Sequence, residues 1–238
     1  DQKLEIIESL GIDIVYVINF TEEFSNTTAT DFLNHTILPY FNPQYMIVGY
    51  DHHFGYGREG SPEFLEEYCS TIHIGLEVIQ KVSDDGHVIS STHIRQLIQD
   101  GFIRRANFEL GSIFGFNAIV VHGAGRGKEL NFPTANVIPV EKNQLMPNPG
   151  VYFTRGRING HLLYGMCNFG TRPTFNEEGL VMEIHFFYNE VIDLYGKEIR
   201  VEFLERIRDE KKFPSSNELK SQLIKDKQKC LELQGKYE

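Results

Sequence analysis

The chain has 238 residues with 33 acidic and 23 basic side chains, which gives a formal net charge of −10. Hydrophobic residues make up 41% and charged residues 24%, a balance typical of globular proteins that excludes disorder by composition. The acidity argues against a general nucleic-acid binder, and no apolar run approaches the roughly 18 residues of a membrane helix. Three scattered cysteines and the lack of a signal-peptide pattern favour a reducing cytoplasm.

The charge is unevenly distributed along the chain. Residues 1–105 hold 6 basic and 16 acidic side chains, whereas the remaining residues hold 17 of each. A change this sharp favours a domain boundary near Arg105. We therefore expect a first domain over residues 1–106 and a second domain over residues 107–238.

The first domain has the pattern of an α/β fold. Helical spacing and helix-end signals predict helices over residues 4–10, 30–38, 62–68 and 94–100. Apolar runs rich in Ile and Val predict strands over residues 12–20, 45–48 and 76–82. Because strands alternate with helices, we expect a parallel sheet.

The second domain has short, closely spaced runs that favour strands, separated by Gly, Pro and Asn. These predicted strands cover residues 114–121, 151–158, 162–167, 182–187 and 198–206. Asn159-Gly160 indicates a hairpin turn, and the spacing indicates a small antiparallel barrel or sandwich. A capping box from Ser215 to Glu218 and an apolar stripe predict a final helix of about 18 residues packed on the barrel.

The most informative segment is Gly123-Ala-Gly-Arg-Gly-Lys-Glu-Leu-Asn-Phe-Pro-Thr-Ala-Asn136. Its glycines let backbone amides approach an anion, and Arg126 and Lys128 add positive charge. A plain hairpin turn explains the glycines equally well. The loop is neither a Walker A motif nor a dinucleotide-binding fingerprint.

Thr134 and Asn136 lie two residues apart on an extended segment, so their side-chain oxygens point the same way. Both are hard oxygen donors, which suit Mg²⁺ held jointly with phosphates. From spacing alone, a turn stabilised by the two side chains is the favoured alternative.

Strand alternation places Glu183 and His185 on one face and their apolar neighbours on the other. A carboxylate there can accept a proton from a substrate hydroxyl in phosphoryl transfer, or it is a solvated outer-face residue. The charged run before the last helix ends at Phe213. This ring can stack on a flat ligand, or the run is a solvated connection.

Taken in order, these segments resemble the bacterial bifunctional riboflavin kinase/FMN adenylyltransferase (FAD synthetase) family over nearly the whole chain. The kinase-half motifs that carry the resemblance are Gly125-Arg-Gly127, Phe132-Pro-Thr-Ala-Asn136, Pro149-Gly-Val-Tyr152, Asn168-Phe-Gly-Thr-Arg-Pro-Thr-Phe175, Glu183-Ile-His185, Asp193-Leu-Tyr-Gly196 and Glu210-Lys-Lys-Phe213. The resemblance implies a six-stranded antiparallel β-barrel with a packed C-terminal helix. It also implies that this barrel transfers the γ-phosphoryl group of ATP to riboflavin, with Mg²⁺, to give FMN.

The same resemblance assigns roles to individual residues. It implies that Glu183 is the catalytic base and that Thr134 and Asn136 contact Mg²⁺ and the nucleotide phosphates. It also implies that Gly123, Arg126 and Lys128 form a flap over the phosphates and that Tyr195 lies at the nucleotide. The residues that it implies contact the flavin are Arg208, Lys211 and Phe213. Asn131 departs from the family, which usually has Gly at this position.

The first domain resembles the family's adenylyltransferase domain, which has a nucleotidyltransferase-like (Rossmann-like) α/β fold. The matching stretches are Phe20-Thr-Glu-Glu-Phe-Ser25, Val48-Gly-Tyr-Asp-His-His-Phe-Gly55 and Ile89-Ser-Ser-Thr-His-Ile-Arg95. The resemblance implies that Asp51 and Phe54 face substrate and that Ser91, Thr92 and Arg95 lie near the ATP phosphates. A simple helix cap is the alternative for Ser90 to Thr92.

The family's opening strand and its Gly-x-Phe-Asp-Gly-x-His-x-Gly-His motif are absent, so we expect an N-terminally incomplete sequence. The complete protein is then expected to convert riboflavin to FMN and FMN to FAD. The alternatives are a monofunctional riboflavin kinase with a degenerate front domain and a non-catalytic flavin-binding regulator. The expected ligands are riboflavin, FMN, FAD and ATP, with no nucleic acid and no membrane, and the oligomeric state stays open.

Overall fold

The computed structural model describes residues 2–123, 127, 130–158, 161–171, 180–188 and 194–238. These residues form two compact units, one over residues 3–89 and one over residues 90–238. In the described residues the first unit has two two-stranded sheets and the second unit has a closed barrel.

The first unit is built around two parallel strands joined by a helix. Its helices are α1 (Gln2–Ser9), α2 (Glu22–Ser25), α3 (Ala29–Phe32), α4 (Leu38–Phe41) and α5 (Pro62–Thr71), with a π-helical turn at Leu33–Ile37 and a 3₁₀ turn at Tyr56–Arg58. Its strands are β1 (Tyr45–Gly49), β2 (Gly75–Ile79), β3 (Ser83–Asp84) and β4 (His87–Val88). β1 and β2 pair in parallel and α5 lies between them in the chain, while β3 and β4 form a small antiparallel pair. The parallel pair with its crossover helix agrees with the predicted α/β fold.

Two local predictions for this unit are wrong. Residues 12–20 form no strand, and Ile14, Val17 and Phe20 are each more than 70% exposed. A strand needs a neighbour for its backbone hydrogen bonds, and in the described part of the chain none pairs with this run. The helix predicted to stop before Pro39 continues to Phe41, because Pro39 lies in the first turn of α4, where its missing N–H is tolerated.

The second unit contains a closed barrel of six antiparallel strands. These strands are β5 (Gly115–Val121), β6 (Ala135–Pro139), β7 (Gly150–Ile158), β8 (His161–Thr171), β9 (Leu180–Phe186) and β10 (Glu198–Arg208). They pair in the order β10-β5-β6-β9-β8-β7 and close on themselves. Phe203 fills the interior, with its ring centroid 5.6 Å from that of Phe116 and 5.4 Å from that of Tyr152. The predicted Asn159-Gly160 turn lies outside the described residues.

Two helices that precede the barrel in the chain complete its core. They are α6 (Ser91–Gln99) and α7 (Ile103–Leu110), which bury Ile98, Ile103 and Ala106 in the same apolar cluster as the strands. Asn107 on α7 donates a hydrogen bond to the Phe203 carbonyl at 2.9 Å. Residues 90–106 therefore pack with the barrel, although the charge pattern places them in the first domain. A functional boundary near residue 106 stays a prediction.

The final helix, α8 (Ser216–Gln234), covers part of the outside of the barrel. A second apolar cluster lies beneath it and includes Val151, Phe153, Met166, Leu204 and Cys230. Burial raises the pKa of the Cys230 thiol to about 12, so this side chain packs as an uncharged, apolar group. Within the described ranges, no helix has both the length and the apolar character needed to cross a membrane.

The cap of α8 gives a stability prediction. The Ser215 hydroxyl accepts a hydrogen bond from the Glu218 amide at 3.3 Å, so Ser215→Ala leaves that amide without its cap. We expect a loss of about 1 kcal/mol in the free energy of unfolding, measured by urea denaturation. Ser221→Ala, within the same helix, is the control and should cost little. Equal stability of the two variants would contradict the capping role.

Candidate active site

A lateral row of paired residues crosses the outside of the barrel. Glu183 on β9 lies opposite Asn136 on β6 and, on its other side, opposite Asn168 on β8. The pairing continues in both directions. In order around the barrel, this outer row contains Val121, Asn136, Glu183, Asn168, Val151 and Arg208.

Strand alternation explains why Glu183 points outward. Met182 and Ile184 are 2% and 0% exposed and belong to the barrel core, so Glu183 between them lies on the opposite face. Neighbouring strands are about 4.8 Å apart, so Asn136 and Arg208, four strand spacings apart, are separated by about 19 Å along the curved surface. The row connects the two predicted binding regions, and one of its members, Val151, is buried beneath α8.

Gly123, at the start of the glycine-rich segment, lies directly against Asn136 at one end of this row. Asn136 is only 8% exposed, and a Cβ atom built on Gly123 would overlap its amide group. Only glycine lets the backbone approach Asn136 this closely. The structure therefore brings together Gly123 and Asn136, two of the residues predicted for the nucleotide site.

Gly127, also from the glycine-rich segment, lies close to Phe132 and Thr134. The Phe132 amide donates a hydrogen bond to the Gly127 carbonyl at 2.8 Å, and a Cβ on Gly127 would lie 3.1 Å from the Thr134 hydroxyl. Gly127, Thr134 and Asn136 thus belong to one compact corner at the start of β6. Arg126 and Lys128, predicted to face the phosphates, lie outside the described residues.

Asn131 shows how the departure from the family motif is accommodated. Its φ angle is +64°, in the left-handed region that glycine favours. Asn is one of the few other residues that adopt this conformation readily. Asn131 therefore adopts a backbone conformation that glycine at this position would also allow.

His185 shares the outer face of β9 with Glu183 and is 6% exposed. Its Nδ1 lies 2.9 Å from the carbonyl oxygen of Pro133, the residue before Thr134. Burial lowers the pKa of this imidazole, although the hydrogen bond to Pro133 opposes the shift. The ring is therefore neutral near pH 7.

The end of the row that is predicted to bind the nucleotide carries a stacked aromatic pair. The Tyr195 ring lies 3.8 Å from the His122 ring, centroid to centroid, with 20° between their planes. Tyr195 is 47% exposed. His122, directly before Gly123, was not identified from the sequence as a site residue. The only indication in the sequence is that His122 is an aromatic residue directly before the glycine-rich segment.

The other end of the row carries the predicted flavin residues. The Arg208 guanidinium carbon and the Lys211 Nζ each lie 5.7 Å from the centroid of the Phe213 ring. Arg208 also donates from Nε to both carboxylate oxygens of Asp226, at 3.1 and 2.9 Å. Asp226 on α8 is 3% exposed and was missed from the sequence. The available signal was a carboxylate on the helix face that carries Leu223 and Cys230.

Asp51 and Phe54 lie in the first unit, just after the carboxyl end of β1. Asp51 is exposed, whereas the Phe54 ring packs between Phe32 and Phe64. A Cβ on Gly60 would lie 2.6 Å from that ring. The carboxyl edge of parallel strands is where α/β folds bind ligands, so the position of Asp51 is compatible with a substrate contact. The substrate roles of Asp51 and Phe54 stay predictions.

Ser91, Thr92 and Arg95 lie on α6 in the second unit, and all three are exposed. The helix begins at Ser90, whose hydroxyl accepts a hydrogen bond from the His93 amide at 3.2 Å. The helix-cap interpretation of this segment is therefore correct for Ser90. A phosphate-binding role for the next residues is compatible with it and stays a prediction.

The described residues contain no group of three or more His, Cys, Asp or Glu side chains that could hold a metal ion. Thr134 and Asn136 offer neutral oxygens, and Glu183 is the acidic residue paired with Asn136. Such a donor set suits a hard cation that is shared with phosphate oxygens rather than held by protein alone.

The comparisons with known proteins agree with this architecture. Residues 110–234 match the riboflavin kinase family model, and residues 1–93 match the FAD synthetase family model. The bifunctional riboflavin kinase/FMN adenylyltransferase of Bacillus subtilis is 34% identical over 97% of this chain and 73% of its own length. The protein of the same description from Escherichia coli K12 is also 34% identical, over 98% of this chain and 74% of its own.

The chain belongs to the bifunctional riboflavin kinase/FMN adenylyltransferase family. A similar solved structure is described as a macrolide-efflux protein from Streptococcus pneumoniae, with a TM-score of 0.86 and 31% identity over 95% of this chain and 72% of that chain. Family membership confirms the predicted fold, flavin cofactor biosynthesis as the function, and both enzyme activities. ATP is a substrate of the family. The site residues stay predictions.

The contact between Gly123 and Asn136 predicts a selective defect. Gly123→Ala places a methyl group where the Asn136 amide lies, so that amide must move. We expect the KM for MgATP in riboflavin phosphorylation to rise about tenfold, the cost of roughly one lost hydrogen bond to a charged ligand. Gly235→Ala is the control, because its Cβ would meet no atom within 4 Å. An unchanged KM in Gly123→Ala would contradict a nucleotide role for Asn136.

Proposed function

We propose that the outer row is the riboflavin kinase site, with the nucleotide at the Asn136 end and the flavin at the Arg208 end. The observation that supports this proposal is the strand pairing, because the row runs from Glu183 to Asn136 on one side and through Asn168 and Val151 to Arg208 on the other. The two ends are far apart in sequence but belong to one row of paired strand residues. The 5′-hydroxyl of the ribityl chain would then meet the γ-phosphate beside Glu183.

Glu183 is proposed to orient and deprotonate that hydroxyl. The hydroxyl oxygen forms a bond to the γ-phosphorus, the bond from this phosphorus to the β–γ bridging oxygen breaks, and ADP leaves. The hydroxyl proton goes to the Glu183 carboxylate. Phosphoryl transfer depends mainly on alignment and charge neutralisation, so a carboxylate fixed on a strand is well suited to the task.

The nucleotide end supplies close backbone contacts and oxygen donors. Thr134 and Asn136 would hold Mg²⁺ together with the phosphates, and the bound ion would neutralise charge on the β- and γ-phosphates. Arg126 and Lys128 are proposed to add positive charge from the glycine loop. The exposed ring of Tyr195, backed by His122, offers a flat surface for adenine.

The flavin end supplies a ring and two cations. Phe213 is proposed to stack on the isoalloxazine, and Arg208 and Lys211 lie over the same Phe213 ring. The ion pair with buried Asp226 fixes Arg208, so that its position does not depend on the ligand.

For the adenylyltransferase activity we propose the predicted residues of the first family domain. Asp51 and Phe54 belong to the substrate loop. The free amides at the start of α6, with Ser91, Thr92 and Arg95, suit the phosphates of ATP. Both activities can be tested in one assay, in which the protein is incubated with riboflavin and MgATP and the products FMN and FAD are separated. FMN without FAD would favour the monofunctional alternative, and tight flavin binding without turnover would favour the regulator. A cytoplasmic location stays a prediction.

The central test is Glu183→Gln. The amide keeps the size of the side chain but cannot accept the proton, so we expect kcat for riboflavin phosphorylation to fall about 10²–10⁴-fold while riboflavin binding is kept. Glu198→Gln, an exposed strand residue at the start of β10, is the control and should behave like the unmodified protein. Near-normal turnover in Glu183→Gln would refute its role as base.

A second test addresses the flavin end. Phe213→Ala removes the proposed stacking ring, so we expect the KM for riboflavin to rise roughly tenfold with little change in the KM for MgATP. Phe108→Ala removes a ring that is 66% exposed on α7 and serves as the control. Equal effects on both substrates would show that Phe213 acts through stability rather than flavin contact.

A further inference from the structure

His185 makes a hydrogen bond whose direction is fixed by chemistry. Its Nδ1 lies 2.9 Å from the Pro133 carbonyl oxygen, which can only accept. Nδ1 therefore carries the proton and donates it. The other ring nitrogen, Nε2, is buried and has no hydrogen-bond partner among the described residues.

This hydrogen bond connects β9 to the residues that lie just before the first paired residue of β6. The pairing between β6 and β9 reaches Ala135 opposite Ile184 and goes no further. Pro133 and Thr134 come before the first residue of β6, so the ladder does not hold them, and Pro133 has no N–H to donate. The His185 side chain replaces the missing ladder bond and ties this turn to β9.

The surroundings keep His185 in one state. Its ring lies 5.1 Å from Phe132 and 5.8 Å from Phe187, centroid to centroid, both edge to face. The apolar contacts and the low exposure favour a neutral imidazole. A neutral ring with its proton on Nδ1 is a fixed donor.

We propose that His185 is a positioning residue for phosphoryl transfer, which fixes the Pro133 carbonyl and thereby the orientation of Thr134 toward the nucleotide. This inference rests on the proposed role of Thr134 at the nucleotide phosphates. β9 then carries two functions two residues apart: Glu183 meets the hydroxyl that is phosphorylated, and His185 holds the turn that binds the phosphate donor. One rigid strand aligns both reactants.

Two variants separate hydrogen bonding from packing. His185→Asn keeps an N–H donor at the δ position but loses the ring, whereas His185→Phe keeps the ring and loses the donor. We expect His185→Phe to raise the KM for MgATP about tenfold and His185→Asn to stay within about threefold of the unmodified protein. The KM for riboflavin should stay nearly constant in both. The reverse order, with Asn worse than Phe, would show that only packing matters and would overturn the proposal.

Thr134→Ala distinguishes failure of this inference from failure of the proposed function. If Thr134→Ala leaves the KM for MgATP unchanged, Thr134 has no nucleotide role and the inference about His185 is overturned as well. If Thr134→Ala raises that KM but His185→Phe does not, the inference alone is overturned. A rise in both variants supports it.

A further test uses the unmodified protein, so its result does not depend on whether a variant folds. Long-range ¹H–¹⁵N correlation spectra report which nitrogen of a histidine carries the proton. We expect the His185 ring at pH 7.5 to show the Nδ1–H tautomer, with Nε2 unprotonated. An Nε2–H tautomer would remove the donor to Pro133 and overturn the proposal.

Discussion

The register between β6, β9 and β8 is the constraint on which the site depends. The β6–β9 pairing sets Asn136 opposite Glu183, and the β8–β9 pairing sets Asn168 on its other side. A shift of one residue in the register of β9 against β6 or β8 would move the Glu183 side chain from the outer face of the barrel to its core. The buried neighbours Met182 and Ile184 resist such a slip, because they would then face outward. Core packing thus secures the position of the carboxylate.

The surrounding structure fixes both ends of the row by different means. At the proposed nucleotide end, the backbone of Gly123 packs directly on the Asn136 side chain, which is possible because Gly123 has no Cβ. At the proposed flavin end, an ion pair between Arg208 and Asp226 links the strand to the helix. Buried charges of this kind cost much to separate, so the end of β10 and the middle of α8 form one unit.

The local sequence pattern predicted the helices and strands better than it predicted which residues they contact. Alternation around Glu183 placed it on the outer face, and the cap at Ser215 marked the start of α8 within one residue. The run over residues 12–20 was misread because composition does not show whether a neighbouring strand is present. The contacts of Asp226 and His122 depend on residues distant in sequence, which no local signal encodes. The roles assigned to site residues came from family resemblance, whereas the structure adds their arrangement.

The packing of α6 and α7 limits how freely the two halves can be exchanged. Ile98, Ile103 and Ala106 precede the kinase motifs in sequence, yet they close one part of the barrel interior. A chimaera joined at residue 107 would pack another protein's version of these side chains against this barrel, and the junction would fall inside α7. A crossover before Ser90 keeps the packed segment and the barrel together, so that the core contacts come from one parent.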